Sequence, residues 1–127
     1  MKSQEIGMKP VTPILRIFDE EKAKEFYIGF LEFAVDWEHR FEDGFPLYMQ
    51  ISRGACLIHL SEHYGDCTPG SSIRIEVDAL EAYHAALLGK AYKYARPGIE
   101  NTPWGTREVR ISDPFGNRIT FYENEES

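Results

Sequence analysis

Only two cysteines, Cys56 and Cys67, occur in the 127 residues, and they do not form a Cys-x-x-Cys pair. A disulfide framework and a thiolate metal site are therefore both ruled out as the basis of the fold. No apolar run reaches the roughly 20 residues that cross a bilayer, so a membrane-spanning helix is not expected. The opening Met1-Lys2-Ser3-Gln4-Glu5 has no apolar stretch behind it, which argues against a secretory signal and for a cytoplasmic location. Basic residues are also short: 14 Lys and Arg against 21 Asp and Glu leave a formal charge of −7. Nucleic-acid binding wants the opposite balance. The glycines are scattered through turns and do not gather into a phosphate-binding loop.

What remains is an ordinary globular composition, with 43% hydrophobic and 28% charged residues. The length suits one compact domain. Only residues 1–9 and 124–127 read as tails.

Two stretches of the chain resemble each other. Ile14-Leu15-Arg16-Ile17-Phe18 leads to Asp19, and Ile73-Arg74-Ile75-Glu76-Val77 leads to Asp78. In each, a β-rich run ends at an Asp in helix-capping position and an apolar stripe follows at helical spacing. The first stripe is Ala23, Phe26, Tyr27, Phe30 and Leu31, and Glu20 and Glu21 suit the helix N-terminus. The second is Leu80, Tyr83, Leu87 and Leu88; Glu81 completes a capping box with Asp78, and Gly89 is a natural stop.

Strands follow each helix. In the first half they are predicted over 34–40, 47–52 and 55–61, with Arg53-Gly54 as a tight turn. In the second they are predicted over 92–96, 106–112 and 118–123, with Asp113-Pro114-Phe115-Gly116-Asn117 as the turn. The order is β-α-β-β-β twice, joined by a linker over 66–70. One face of each strand is apolar and takes the helices; the other mixes His59, Arg74, Glu76, Arg110 and Thr120.

Thr102-Pro103-Trp104-Gly105 followed by Asp113-Pro114-Phe115-Gly116-Asn117 resembles the end of a bleomycin-resistance protein. Thr12-Pro13-Ile14-Leu15, Glu25-Phe26-Tyr27 and Leu31-Glu32-Phe33 match its first half in order and spacing. The resemblance runs from about Val11 to Glu123. It is to the glyoxalase/bleomycin-resistance/dioxygenase (vicinal oxygen chelate) superfamily, closest to the bleomycin-resistance proteins. It implies an α+β fold in which two βαβββ modules, about 11–65 and 70–123, form curled mixed sheets around a cavity.

Enzymes of this superfamily hold a divalent metal through side chains on four strands. The matching positions here are Thr12, His59, Ser72 and Thr120. Only His59 is of ligating type, and one ligand falls short of the three that a catalytic site generally uses. The alternative is a metal-dependent lyase, transferase or dioxygenase with an atypical site on His59 and Glu76, which His63 or His39 could approach from loops. Against it, Glu76 has an ordinary use as the ion-pair partner of Arg74 or Arg110.

The resemblance instead implies a homodimer that sequesters a bleomycin-class antibiotic without catalysis, without a cofactor, and in grooves between subunits. Flat rings and a cationic tail call for aromatic faces and carboxylates. Trp104, Phe41 and Phe45 supply rings, with Trp37 and Tyr48 as further candidates, and Glu42 and Asp43 supply acids. Pro13 is the candidate pivot for exchanging the first strand between subunits. Arg16, Arg74 and Arg110 depart from that pattern, because they favour an anionic or polar ligand.

Overall fold

A computed structural model describes residues 4–125. The readings placed on residues 1–3 and 126–127 lie outside the described residues. Residues 4–13 carry no regular secondary structure. The first module consists of β1 (Ile14–Arg16), α1 (Glu20–Lys24) running on into a wide-turned segment (Glu25–Phe30), β2 (Ala34–His39), β3 (Tyr48–Arg53) and β4 (Cys56–Ser61). The second consists of β5 (Ser72–Glu76), α2 (Leu80–Gly89), β6 (Ile99–Asn101), β7 (Thr106–Ser112) and β8 (Arg118–Asn124).

Each module forms one open four-stranded mixed sheet, in the orders β1-β4-β3-β2 and β5-β8-β7-β6. In both, the first strand runs parallel to the last and the other pairs are antiparallel. The fold is therefore α+β, with two βαβββ modules that do not close into a barrel.

The helix stripes and the apolar strand faces meet in one shared core. Phe26, Tyr27, Phe30, Met49, Ile51, Ile58 and Leu60 join Leu80, Tyr83, Val109, Ile119 and Phe121 there. Strand side chains alternate between faces, so the polar faces of both sheets turn away from this core. A buried hydrogen-bonded knot ties the modules together. The Asp113 carboxylate accepts hydrogen bonds from the Tyr27 hydroxyl at 2.6 Å and from the Phe115 and Asn117 backbone N–H groups at 2.8 Å. The Asn117 amide donates both to Asp113 and to the Arg16 carbonyl, each at 2.8 Å. Burial and the Asp113 charge push the Tyr27 phenol well above its usual range, so it remains a donor.

Four local expectations need correction. Asp19 caps α1 through the Lys22 N–H at 2.8 Å, but Asp78 does not cap α2. Ala79 intervenes in the left-handed conformation (φ 58°), which carries the carboxylate out of line with the free N–H groups. The second-module strand predicted over 92–96 lies at Ile99–Asn101 instead. Tyr92 is drawn inward, stacked on Phe30 at 4.6 Å, and Pro97 cannot donate to a ladder. The first hairpin turns at Gly54-Ala55, one residue later than expected, with Gly54 at φ +58°. Asn124 ends β8 and reaches Glu76 at 3.4 Å, so it is not tail.

Candidate functional site

The polar face of the first sheet carries an aromatic array. In register, His59 lies between Ile14 and Gln50, and Gln50 lies beside Trp37. Strict alternation along β2 would put Trp37 on the side of Val35, whose partner Ile51 is in the core. A bulge between Val35 and Trp37 prevents this. Asp36 is the extra residue, and Trp37 is turned to the polar side. There it lies parallel to Tyr48 (6.0 Å, 12°) and edge-on to His59 (5.4 Å, 69°), with 42% of its surface exposed.

The polar groups beneath these rings form a directed chain. The Tyr48 hydroxyl donates to His59 Nδ1 at 2.7 Å, and His59 Nε2–H donates to Gln50 Oε1 at 3.0 Å. The Gln50 amide donates to Asp36 at 3.0 Å, and Ser52 donates to the same carboxylate at 2.9 Å. Burial, with Asp66 and Cys67 adding, pushes the Tyr48 phenol up, consistent with its donor role.

This arrangement does not suit a metal. With Nε2–H donating to Gln50, Nδ1 accepts from the Tyr48 hydroxyl, so both ring nitrogens of His59 are engaged in hydrogen bonds within the sheet. Among the described residues no three His, Cys, Asp or Glu side chains converge. The other matched positions, Thr12, Ser72 and Thr120, offer only hydroxyls.

On the second sheet, three rows of side chains cross the polar face. They are Glu76–Tyr122–Glu108, Arg74–Thr120–Arg110 and Ser72–Arg118–Ser112. Glu108 is fully buried beneath the arginines. It accepts from Arg74 at 2.9 Å, Thr106 at 2.8 Å and Arg110 at 3.1 and 3.3 Å. The Arg74 hydrogen bond is the largest effect holding the Glu108 carboxyl down, at about 2, with Thr106 and Arg110 assisting and burial opposing. A groove of about 490 Å³ opens here, lined by Ser72, Arg74, Arg110, Ser112, Arg118 and Thr120.

Glu76 is therefore not the partner of Arg74 or Arg110; Glu108 is. Glu76 borders a different, mainly apolar cavity of about 630 Å³ between the β3–β4 turn and α2, beside Cys56, Tyr83 and Phe121. The structure does not bring His59 and Glu76 together. His59 belongs to the first sheet and the Arg74–Arg110 pair to the second.

Trp104 stands 62% exposed on the β6–β7 turn, and Phe41 is 76% exposed. Phe41, Glu42, Asp43 and Phe45 lie in the β2–β3 loop, where Arg40 holds the Phe45 carbonyl at 2.6 Å. Pro13 precedes β1, and its carbonyl accepts from His59 N–H at 3.0 Å, so in the single chain the first strand pairs with its own β4. Alternation alone puts Glu108 on the polar face beside Arg110 but gives it no role; the sheet pairing shows it as the partner of both arginines.

A family model described as "Glyoxalase superfamily protein" matches residues 1–127. The chain belongs to the glyoxalase superfamily. No curated sequence matches this superfamily member significantly. Among solved structures it is similar to a bleomycin-binding protein complexed with bleomycin, at 22% identity over 93% of this chain and 100% of that one, with a TM-score of 0.68. TnmS3, an antibiotic binding protein from Streptomyces sp. CB03234, gives 22% identity over 95% and 100%, with a TM-score of 0.70. A glyoxalase-related enzyme from Clostridium phytofermentans gives 18% over 96% and 99%, with a TM-score of 0.72. At these identities the likeness establishes the superfamily fold.

Proposed function

We propose that this glyoxalase-superfamily chain binds and sequesters a flat aromatic small molecule of the bleomycin class without transforming it. The observation that carries the reading is the Trp37–Tyr48–His59 array. Ring faces are presented on a polar sheet surface, over a hydrogen-bond chain that leaves no free metal-binding nitrogen. Aromatic platforms gain from stacking as well as from area buried. Antibiotic-binding relatives of the same fold support it.

Trp104, Phe41 and Phe45 are the exposed rings at the rim in this reading, and Glu42 and Asp43 offer acids to a cationic tail. Within one chain both polar faces point away from the shared core. A ligand that touches both therefore requires two copies, giving a homodimer with two equivalent grooves. Resistance by sequestration in the cytoplasm belongs to the same proposal.

The test is titration with bleomycin, followed by tryptophan emission and by sedimentation. We expect saturation in the micromolar range, one drug per chain in a dimer, and loss of binding in Trp37→Ala. A flat emission titration, with an unchanged melting temperature, overturns this ligand.

A further inference from the structure

We propose that the outer face of the second sheet is a receptor for a small oxyanion, a carboxylate or phosphate group, with Arg118 as its principal unshared charge. The inference rests on the reading above only in sharing the second sheet's polar face, and it names the chemistry that this half of the site would bind.

The argument starts from register. Arg74 and Arg110 flank Thr120 on neighbouring strands, and Ser72 and Ser112 flank Arg118 two residues along. Residues two apart on a strand share a face and lie about 7 Å from each other. One groove thus gathers three guanidinium groups and three hydroxyls. Every one of them can donate a hydrogen bond.

Charge decides what such a groove takes. Arg74 and Arg110 share a single buried carboxylate, Glu108, and Arg118 makes no ion pair among the described residues. Within the groove, three positive groups stand over one buried negative group, while Glu76 and Glu100 lie on the same sheet face outside the groove lining. Glu100 stands 3.8 Å from Arg110 and is largely exposed; counting it and Glu76 balances the face as a whole, so the positive charge is local to the groove. This surplus sits on a chain whose formal charge is −7.

Glu108 also supplies rigidity. It holds Arg74 and Arg110 from below by one edge of each guanidinium, and Arg74 lies 4.4 Å over the Tyr122 ring. Both arginines remain about half exposed, at 47% and 52% of their side chains. Each guanidinium has five N–H donors, so each keeps donors for a ligand while its conformation is already fixed. Ordering long side chains normally weakens binding, and here that loss has been met in folding.

The test is a titration of the ¹⁵N-labelled full chain with inorganic phosphate, sodium acetate and methylammonium chloride at constant ionic strength. We expect phosphate and acetate to move the amide signals of Ser72, Ser112, Arg118 and Thr120 saturably, and methylammonium to leave them in place. Arg118→Gln should weaken the anions by about tenfold or more, the scale of one hydrogen bond to a charged group. Arg118→Lys should retain part of the binding. The tighter of the two anions names the group the ligand carries. Anion shifts scattered over the surface, absent, or unchanged in Arg118→Gln overturn the inference. A positive result beside a failed bleomycin titration would retire the aromatic reading alone.

Discussion

Removing the Tyr27 hydroxyl tests whether the two modules are held together by a specific bond or only by apolar burial. Tyr27→Phe keeps the buried ring and its edge-on contact with Phe26 (4.9 Å, 81°) and deletes the 2.6 Å bond to Asp113. A hydrogen bond to a charged group is worth about 1.5–3 kcal/mol. Asp113 keeps its bonds from Phe115 N–H, Asn117 N–H and the Asn117 amide, so its charge is not left bare. That places the expected cost near the low end, about 2 kcal/mol. For a domain of this size, about 2 kcal/mol lowers the melting temperature by about 6–10 °C. Calorimetry measures the drop directly, and urea unfolding should show a lower midpoint with an unchanged slope. Because the loss passes through the carboxylate, the same substitution in an Asp113→Asn background should cost less than half as much. A drop under about 2 °C, or an equal cost in both backgrounds, refutes the knot.

Further expectations follow from the same geometry. Glu108 is held to about 2 in the folded chain against 4.5 for an ordinary Glu. The unfolded state therefore takes up the proton first as pH falls. The stabilisation is full above about 4.5 and is lost towards 2. Acid unfolding followed by circular dichroism should be shallower across that window in Glu108→Gln. Ala79→Gly should raise stability by up to about 1 kcal/mol, because Ala79 sits at a φ of 58° that glycine adopts without strain; thermal melts will show it, and a fall would refute it. Gly116→Ala, at φ +90°, should cost about 1 kcal/mol by the same argument run in reverse.

Periodicity made much of this molecule legible. Alternation in β4, β5, β7 and β8 separated Ile58, Ile75, Val109 and Phe121 from His59, Arg74, Arg110 and Thr120, and the two helix stripes placed the core except at Leu88, which is exposed. Alternation failed where the backbone departs from it. The bulge at Asp36 puts Val35 and Trp37 on opposite faces although they are two residues apart, so the ring array could not be read from spacing. Ala79 occupies a conformation that its residue type disfavours, which hid the true start of α2. Tyr92 left a strand pattern for the aromatic packing between modules, a contact set by tertiary structure alone. The partner of the arginines was misassigned because Glu76 and Glu108 share the same face, and only the folded sheet shows which of the two is covered.

The shared core has one further consequence. With each sheet's apolar side committed to the shared core, the two outer faces of one chain point apart, and under the proposed function a guest that touches both is held between molecules. The occupancy of such a cleft will follow the law of mass action in protein as well as in ligand. Dilution alone should then release the guest, at constant free ligand and with no change of pH, temperature or salt.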